Sequence, residues 1–148
     1  MTLNQIINRV KTIALNHKQI RAFHYGDVND FFDTDEGKSF AVCALQDNGA
    51  SIGNNILSVQ FVIFLLDLVH IAEDTQANEQ DVQSDMLEVA QDLFAEFDFS
   101  EYTDWKVTLD NPVQLVREQQ PDYVAGVAMT ISIETPRIKD VCAVPNNV

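Results

Sequence analysis

Glycine and proline are scarce, five and four in 148 residues, which excludes a collagen-like or low-complexity chain. The two cysteines, Cys43 and Cys142, form no Cys-x-x-Cys and lie far apart, so a disulfide scaffold is excluded as well. They read as reduced, buried thiols made in a cytosol, with a disulfide between them left open. Basic residues are also few: nine Lys and Arg face 23 Asp and Glu, for a net charge of −14. A surface of that sign repels phosphate backbones and argues against a protein that grips DNA or RNA. No secretory signal opens the chain, since its first residues alternate polar and aliphatic. The densest apolar run, Ile56 to Val69, is broken by Ser58, Gln60 and Asp67. A membrane-spanning helix needs about 20 apolar residues, so no span is expected and the chain reads as soluble and intracellular when made.

What is present is an ordinary globular composition, 46% apolar and 22% charged, of a length that suits one domain with a sizeable core. The charge is unevenly placed. Residues 1–26 carry Arg9, Lys11, Lys18 and Arg21 and no acid, whereas residues 27–110 hold 19 acids against Lys38 and Lys106. A basic leading segment beside an acidic middle suggests complementary surfaces, within one subunit or between neighbours. The alternative is an asymmetric solvated surface.

Hydrophobic spacing divides the chain into elements. Thr2 caps a helix whose apolar face is Leu3, Ile6, Ile7, Val10, Ile13 and Ala14, ending near Asn16. His17 to Gly37 reads as a connection with one short helical turn. From Ser39 the pattern is strand-like: Phe40, Val42 and Ala44 begin one strand, and Ile56 to Val69 forms its return. Phe61–Leu66 is apolar on both faces, as in a strand covered on each side. The polar stretch Gln46–Asn55, with Asn48, Gly49, Gly53 and Asn54, is expected to be a long loop and a possible interaction arm. A second helix follows from about Asn78 to Asp98. Val82, Met86, Val89, Ala90, Leu93, Phe94 and Phe97 lie on one face, and Asp81, Asp85, Glu88, Asp92 and Glu96 on the other. This helix has no Lys or Arg, so like-charge neighbours cost it a few tenths of a kcal/mol each and its apolar face must stabilise it. Three more strands are expected, at Trp105–Asp110, Val113–Glu118 and Tyr123–Thr135, before Pro136. The expected fold is α+β: two main helices on a largely antiparallel sheet of about five strands with a long β-hairpin. Residues 1–136 form the domain and 137–148 an extended tail.

Catalytic and metal signals are weak. Asp33-Thr34-Asp35-Glu36-Gly37 resembles a calcium loop only superficially. In a twelve-residue frame from Asp33, Lys38 stands where glycine belongs and Ala44 where the bidentate glutamate belongs. His17 and His24, seven apart, have no second ligand at metal spacing, and His70 ends the hydrophobic strand next to Glu73 and Asp74. A Cys–His dyad needs only proximity in space, but Cys43 sits between Val42 and Ala44, the setting of a buried strand cysteine. No phosphate-loop, dinucleotide, serine-hydrolase or zinc-protease motif occurs. The expectation is a non-enzyme with no cofactor and no metal. The acidic row of the second helix reads as a solvated outer face, as a surface that must not adhere to nucleic acid, or as one that meets a basic partner.

The order of these elements, with the second helix reading Gln83-Ser84-Asp85-Met86-Leu87-Glu88-Val89-Ala90-Gln91-Asp92-Leu93, resembles tail-terminator or tail-completion proteins of tailed bacteriophages. The closing segments Ile131-Ser132-Ile133-Glu134-Thr135-Pro136 and Val141-Cys142-Ala143-Val144-Pro145 are similar in style to neck and connector proteins of phages of Bacteroidetes hosts, including the crAss-like group. The resemblance implies a virion subunit, made in the host bacterial cytoplasm, that forms a six-fold or twelve-fold homo-oligomeric ring at the head–tail junction or tail end. Its implied partners are copies of itself and adjoining portal, connector or tail proteins, with DNA passing through the channel without specific binding. A competing reading of the acid is a DNA-mimic inhibitor of a nucleic-acid-binding host protein. Against it, residues 1–26 carry no acid at all.

Overall fold

A computed structural model describes residues 1–32, 39–69, 75–99, 101–118, 123–137 and 145. The first helix, α1, runs Leu3–Asn16. Thr2 and Gln5 close a capping box: the Gln5 N–H donates to the Thr2 hydroxyl at 3.2 Å, and the Thr2 N–H donates to the Gln5 side chain at 2.8 Å. The box fixes the start of a helix whose Ile6, Val10, Ile13 and Ala14 are buried as their spacing predicts.

The connection after α1 holds more structure than its weak periodicity suggests. It contains a strand, β1 (Ala22–Tyr25), and a five-residue helix, α2 (Val28–Phe32). Strand β1 is too short to show a period, and it lies parallel to the start of β2 (Val42–Gly53). The expected loop over Gln46–Asn55 is corrected in the same way. Strand β2 continues to Gly53, the turn is only Asn54 and Asn55, and β3 (Ile56–Leu68) returns at once. Asn55 takes a left-handed φ of 63°, which asparagine tolerates, and Gly49, at φ 103°, sits where the pairing shifts register between Asp47 and Ala50. This half of β2 is polar because it is an exposed edge, so no buried face imposes alternation on its sequence.

Helix α3 (Thr75–Phe97) follows, then β4 (Lys106–Leu109), β5 (Gln114–Glu118) and β6 (Val124–Pro136). Among the described residues the sheet has six strands, close to the five expected, in the order β1-β2-β3-β6-β4, with β5 also paired to β6. Every pairing except β1 with β2 is antiparallel. Thirteen residues of β3 pair with thirteen of β6, from Ile56 opposite Pro136 to Leu68 opposite Val124, and this pair is the centre of the sheet. Where β6 passes Leu65 there is room only for glycine: a Cβ on Gly126 would lie 1.8 Å from the Leu65 carbonyl oxygen.

Helices α1 and α3 cover one face. Their apolar residues join Cys43, Leu45, Phe61, Ile63, Leu65, Met129, Ile131 and Ile133 in the main core. Among the described residues the other face is covered at one end, where Phe31 and Phe32 of α2 pack with Val42, Leu66 and Val124. The doubly apolar run in β3 is thus explained at its Leu66 end, whereas Val62 and Phe64 are half-buried. No helix of the described residues is long and apolar enough to cross a membrane. The Asp33–Gly37 segment, Lys38, His70, Cys142 and all of the expected tail except Arg137 and Pro145 lie outside the described residues.

Candidate interaction surfaces

The basic residues of α1 have two different fates. Arg9 is used inside the subunit. Its guanidinium makes two hydrogen bonds to the Asp104 carboxylate, at 2.7 and 2.9 Å. It also stacks over Tyr102 and Trp105, 4.5 and 4.8 Å from the ring centroids. The paired geometry raises the Arg9 pKa and holds the Asp104 carboxyl below its ordinary value. Trp105 is anchored in turn, its indole N–H donating to the Phe97 carbonyl at 3.0 Å, so this box ties α1 to the segment between α3 and β4. Lys11, Lys18 and Arg21 are exposed, and none forms an ion pair among the described residues.

The acidic row is where the periodicity puts it. Asp81, Asp85, Glu88, Asp92 and Glu96 are all exposed on α3, opposite buried Met86, Val89, Ala90, Leu93 and Phe97. Asp92 reaches back to α1, its carboxylate 2.9 Å from His17 Nε2. A cleft of about 650 Å³ opens beside this contact, and Lys18 shares its wall with Asp92 and Glu96. Side chains of the leading segment and of the acidic middle therefore meet within one subunit at two places, Arg9–Asp104 and His17–Asp92. Lys11, Lys18 and Arg21, and the other acids of the α3 row, Asp81, Asp85, Glu88 and Glu96, are exposed.

The remaining candidates, Asn48, Gly49, Gly53 and Asn54, lie at the far end of the β2–β3 hairpin and are exposed. A polar chain crosses the sheet below them. Asn48 donates to the Gln60 side chain at 2.6 Å, Gln60 donates to Asp110 at 2.9 Å, and the Ser132 hydroxyl donates to the same Asp110 carboxylate. At the tip Arg137 donates its backbone N–H to the Asn55 carbonyl at 2.7 Å. The hairpin end is thus a braced part of the sheet.

Two groupings escaped the sequence. The Arg9 box joins residues 95 apart, a separation to which no local pattern points. Glu79, in the first turns of α3, is nearly buried, accepts a hydrogen bond from the Tyr123 hydroxyl and pairs with Arg117 at 3.1 Å. A charged residue in a helical register gives no sign of burial when its partners come from β5 and the segment before β6. Cys43 is fully buried, which pushes its thiol up to about 12 and keeps it protonated. Among the described residues no group of three or more His, Cys, Asp or Glu is placed to hold a metal ion. No known protein family matches this chain, and no curated protein is significantly similar to it.

Proposed function

We propose that the chain is a structural subunit that assembles into a ring at the head–tail junction or tail end of a tailed phage, where it supports connector or tail assembly and DNA passage. The reading rests on the likeness of its element order and closing segments to phage connector proteins. The observation that carries it furthest is the braced end of the β2–β3 hairpin: a rigid, exposed polar extension suited to contact with a neighbouring subunit or component. The charge distribution is compatible with this role. Lys11, Lys18 and Arg21 are available to an acidic neighbour, and the row from Asp81 to Glu96 offers DNA nothing to bind. A like-charged wall removes the counterion release that drives adhesion to a phosphate backbone.

The test is electron microscopy of purified particles, with this chain traced into the density. The expected result is a closed ring around the DNA channel. Absence of the chain from the particle overturns the proposal.

One observation favours a second reading. The five exposed acids on α3 span the sixteen residues from Asp81 to Glu96, about 22 Å at 1.5 Å per step, and could imitate a stretch of phosphates. A DNA-mimic inhibitor would bind a basic nucleic-acid-binding enzyme at low salt and release it as salt rises. Binding that ignores salt would dismiss this alternative.

A further inference from the structure

The sheet ends in two open edges at the same level. Ser58–Phe61 of β3 pair on one side with the Asp47–Ser51 stretch of β2, and through Glu134–Ile131 of β6 they align with Lys106–Leu109 of β4. Beyond Leu45, where β1 ends its pairing, no described strand pairs with the outer side of β2, and none pairs with the outer side of β4. Unpaired edges of this kind are templates for strand addition.

We propose that these two edges join in a second copy of the chain: the Gln46–Gly53 edge of one subunit adds to the Lys106–Leu109 edge of the next, carrying one sheet from subunit to subunit. The inference rests on the ring reading and specifies its joint.

Two observations choose this occupant. Strand direction is the first. Both β2 and β6 run antiparallel to β3, and β4 runs antiparallel to β6, so β2 and β4 run in opposite senses. Their junction extends the antiparallel pattern with the helices kept on one face, as rotation about a ring axis requires. The second is the match of faces. Ala50 and Ile52 lie opposite Val59 and Leu57, and Val107 and Leu109 lie opposite Ile133 and Ile131, so all four stand on the helix-covered face. Ile52 is 71% exposed and Leu109 39%, and Leu109 borders an apolar groove with Leu87 and Phe94 of α3. Joining the edges with Ser51 opposite Thr108 sets Ile52 beside Val107 and diagonal to Leu109 and withdraws Ile52 and Leu109 from water. On the opposite face Ser51 meets Lys106 and Thr108, polar against polar. Because the two edges differ, the contact is head-to-tail, the kind that builds a ring where its rotation closes.

Cross-linking of the full chain in a Cys142→Ser background tests the joint. Ser51→Cys and Thr108→Cys would be made singly and together and treated with a bis-maleimide reaching about 10 Å, twice the strand spacing. Within one subunit the two positions are three strand spacings apart, about 14 Å, beyond that reach. The expected result is a ladder of multimers from the double variant and no dimer from either single one. A dimer from Ser51→Cys alone would mean that the β2 edge pairs with itself, and overturns the inference. A ring mass by light scattering without cross-links also overturns it while leaving the ring reading in place. A chain that stays monomeric at every concentration overturns the joint, whereas the ring reading answers separately to the particle image. Ile52→Lys adds a charge at the joint, at a position exposed in the single subunit. It is expected to lower the multimer fraction about tenfold with an unchanged melting temperature. An unaltered multimer fraction counts against the joint.

Discussion

Arg9 shows how one side chain can leave a charged surface and become structure. Its fork matches the Asp104 carboxylate, and its flat guanidinium lies against Tyr102 and Trp105, so both its charge and its shape are used. Lysine has neither the fork nor the plane, and Arg9→Lys is expected to lower stability by about 1–2 kcal/mol in denaturant unfolding. The pair is also sensitive to acid. The Asp104 carboxyl is held below its ordinary 3.8, so its contribution is complete above that value and is lost as pH falls through the lower folded-state value. The melting-temperature gap between wild type and Asp104→Asn should be open at about pH 7 and closed near pH 2; a gap independent of pH would remove the ion pair from the account. Because Asp104 is half exposed, solvent screening keeps the gap small. Cys43 is the opposite case, a group with reactive chemistry that its surroundings suppress. In a Cys142→Ser chain its native thiol should react with a maleimide about a thousandfold more slowly than in denaturant. Rapid native labelling would reopen the question of an activated thiol.

At the scale of elements, legibility followed burial. Helix α1 was readable to its capping residue because Ile6, Val10, Ile13 and Ala14 must all face one core. Helix α3 and strands β3 and β6 were readable for the same reason, each having a buried side that imposes its own period. Strand β1 and the outer half of β2 were not. One has four residues, and the other is exposed on both faces and kinked at Gly49, so no period was imposed and polar residues there looked like a loop. The candidate surfaces divide along the same line. The acidic row of α3 could be read from helical spacing, whereas the Arg9 box, the Glu79–Arg117 pair and the polar chain from Asn48 to Asp110 depend on tertiary proximity that a local pattern does not encode. Gly126 carries the sharpest prediction at this scale. Because a Cβ at this position would lie 1.8 Å from the Leu65 carbonyl oxygen, Gly126→Ala must push β6 away from β3 in the central strand pair. The expected cost is about 2–4 kcal/mol in urea unfolding. A loss below about 0.5 kcal/mol would mean that the strands separate easily.

For the molecule as a whole, the division of charge matters more than its sum. Two basic residues of the leading segment, Arg9 and His17, meet acids within the subunit, which leaves Lys11, Lys18 and Arg21 as the cations turned outward. Reversing Lys11 and Lys18 to Glu should weaken assembly more than folding. Subunit stability is expected to change by no more than about 0.5–1 kcal/mol, with a larger loss of oligomer by analytical ultracentrifugation. An unchanged oligomer would remove charge from the assembly argument without touching the ring.

The central position of β6 also governs the order in which the fold can form. As the chain leaves the ribosome, β2 and β3 can zip into a hairpin at once, since only Asn54 and Asn55 separate them. The other side of β3 then has nothing to pair with until Val124–Pro136 emerges, and neither β4 nor β5 has a strand to join before that moment. At about 5–20 residues per second the wait from Leu68 to Pro136 lasts several seconds, with Phe61, Ile63 and Leu65 lacking their β6 cover. Synthesis of the strand that closes the sheet is therefore the commitment step of folding, and everything made before it is a nascent intermediate that a chaperone could recognise by its open apolar hairpin.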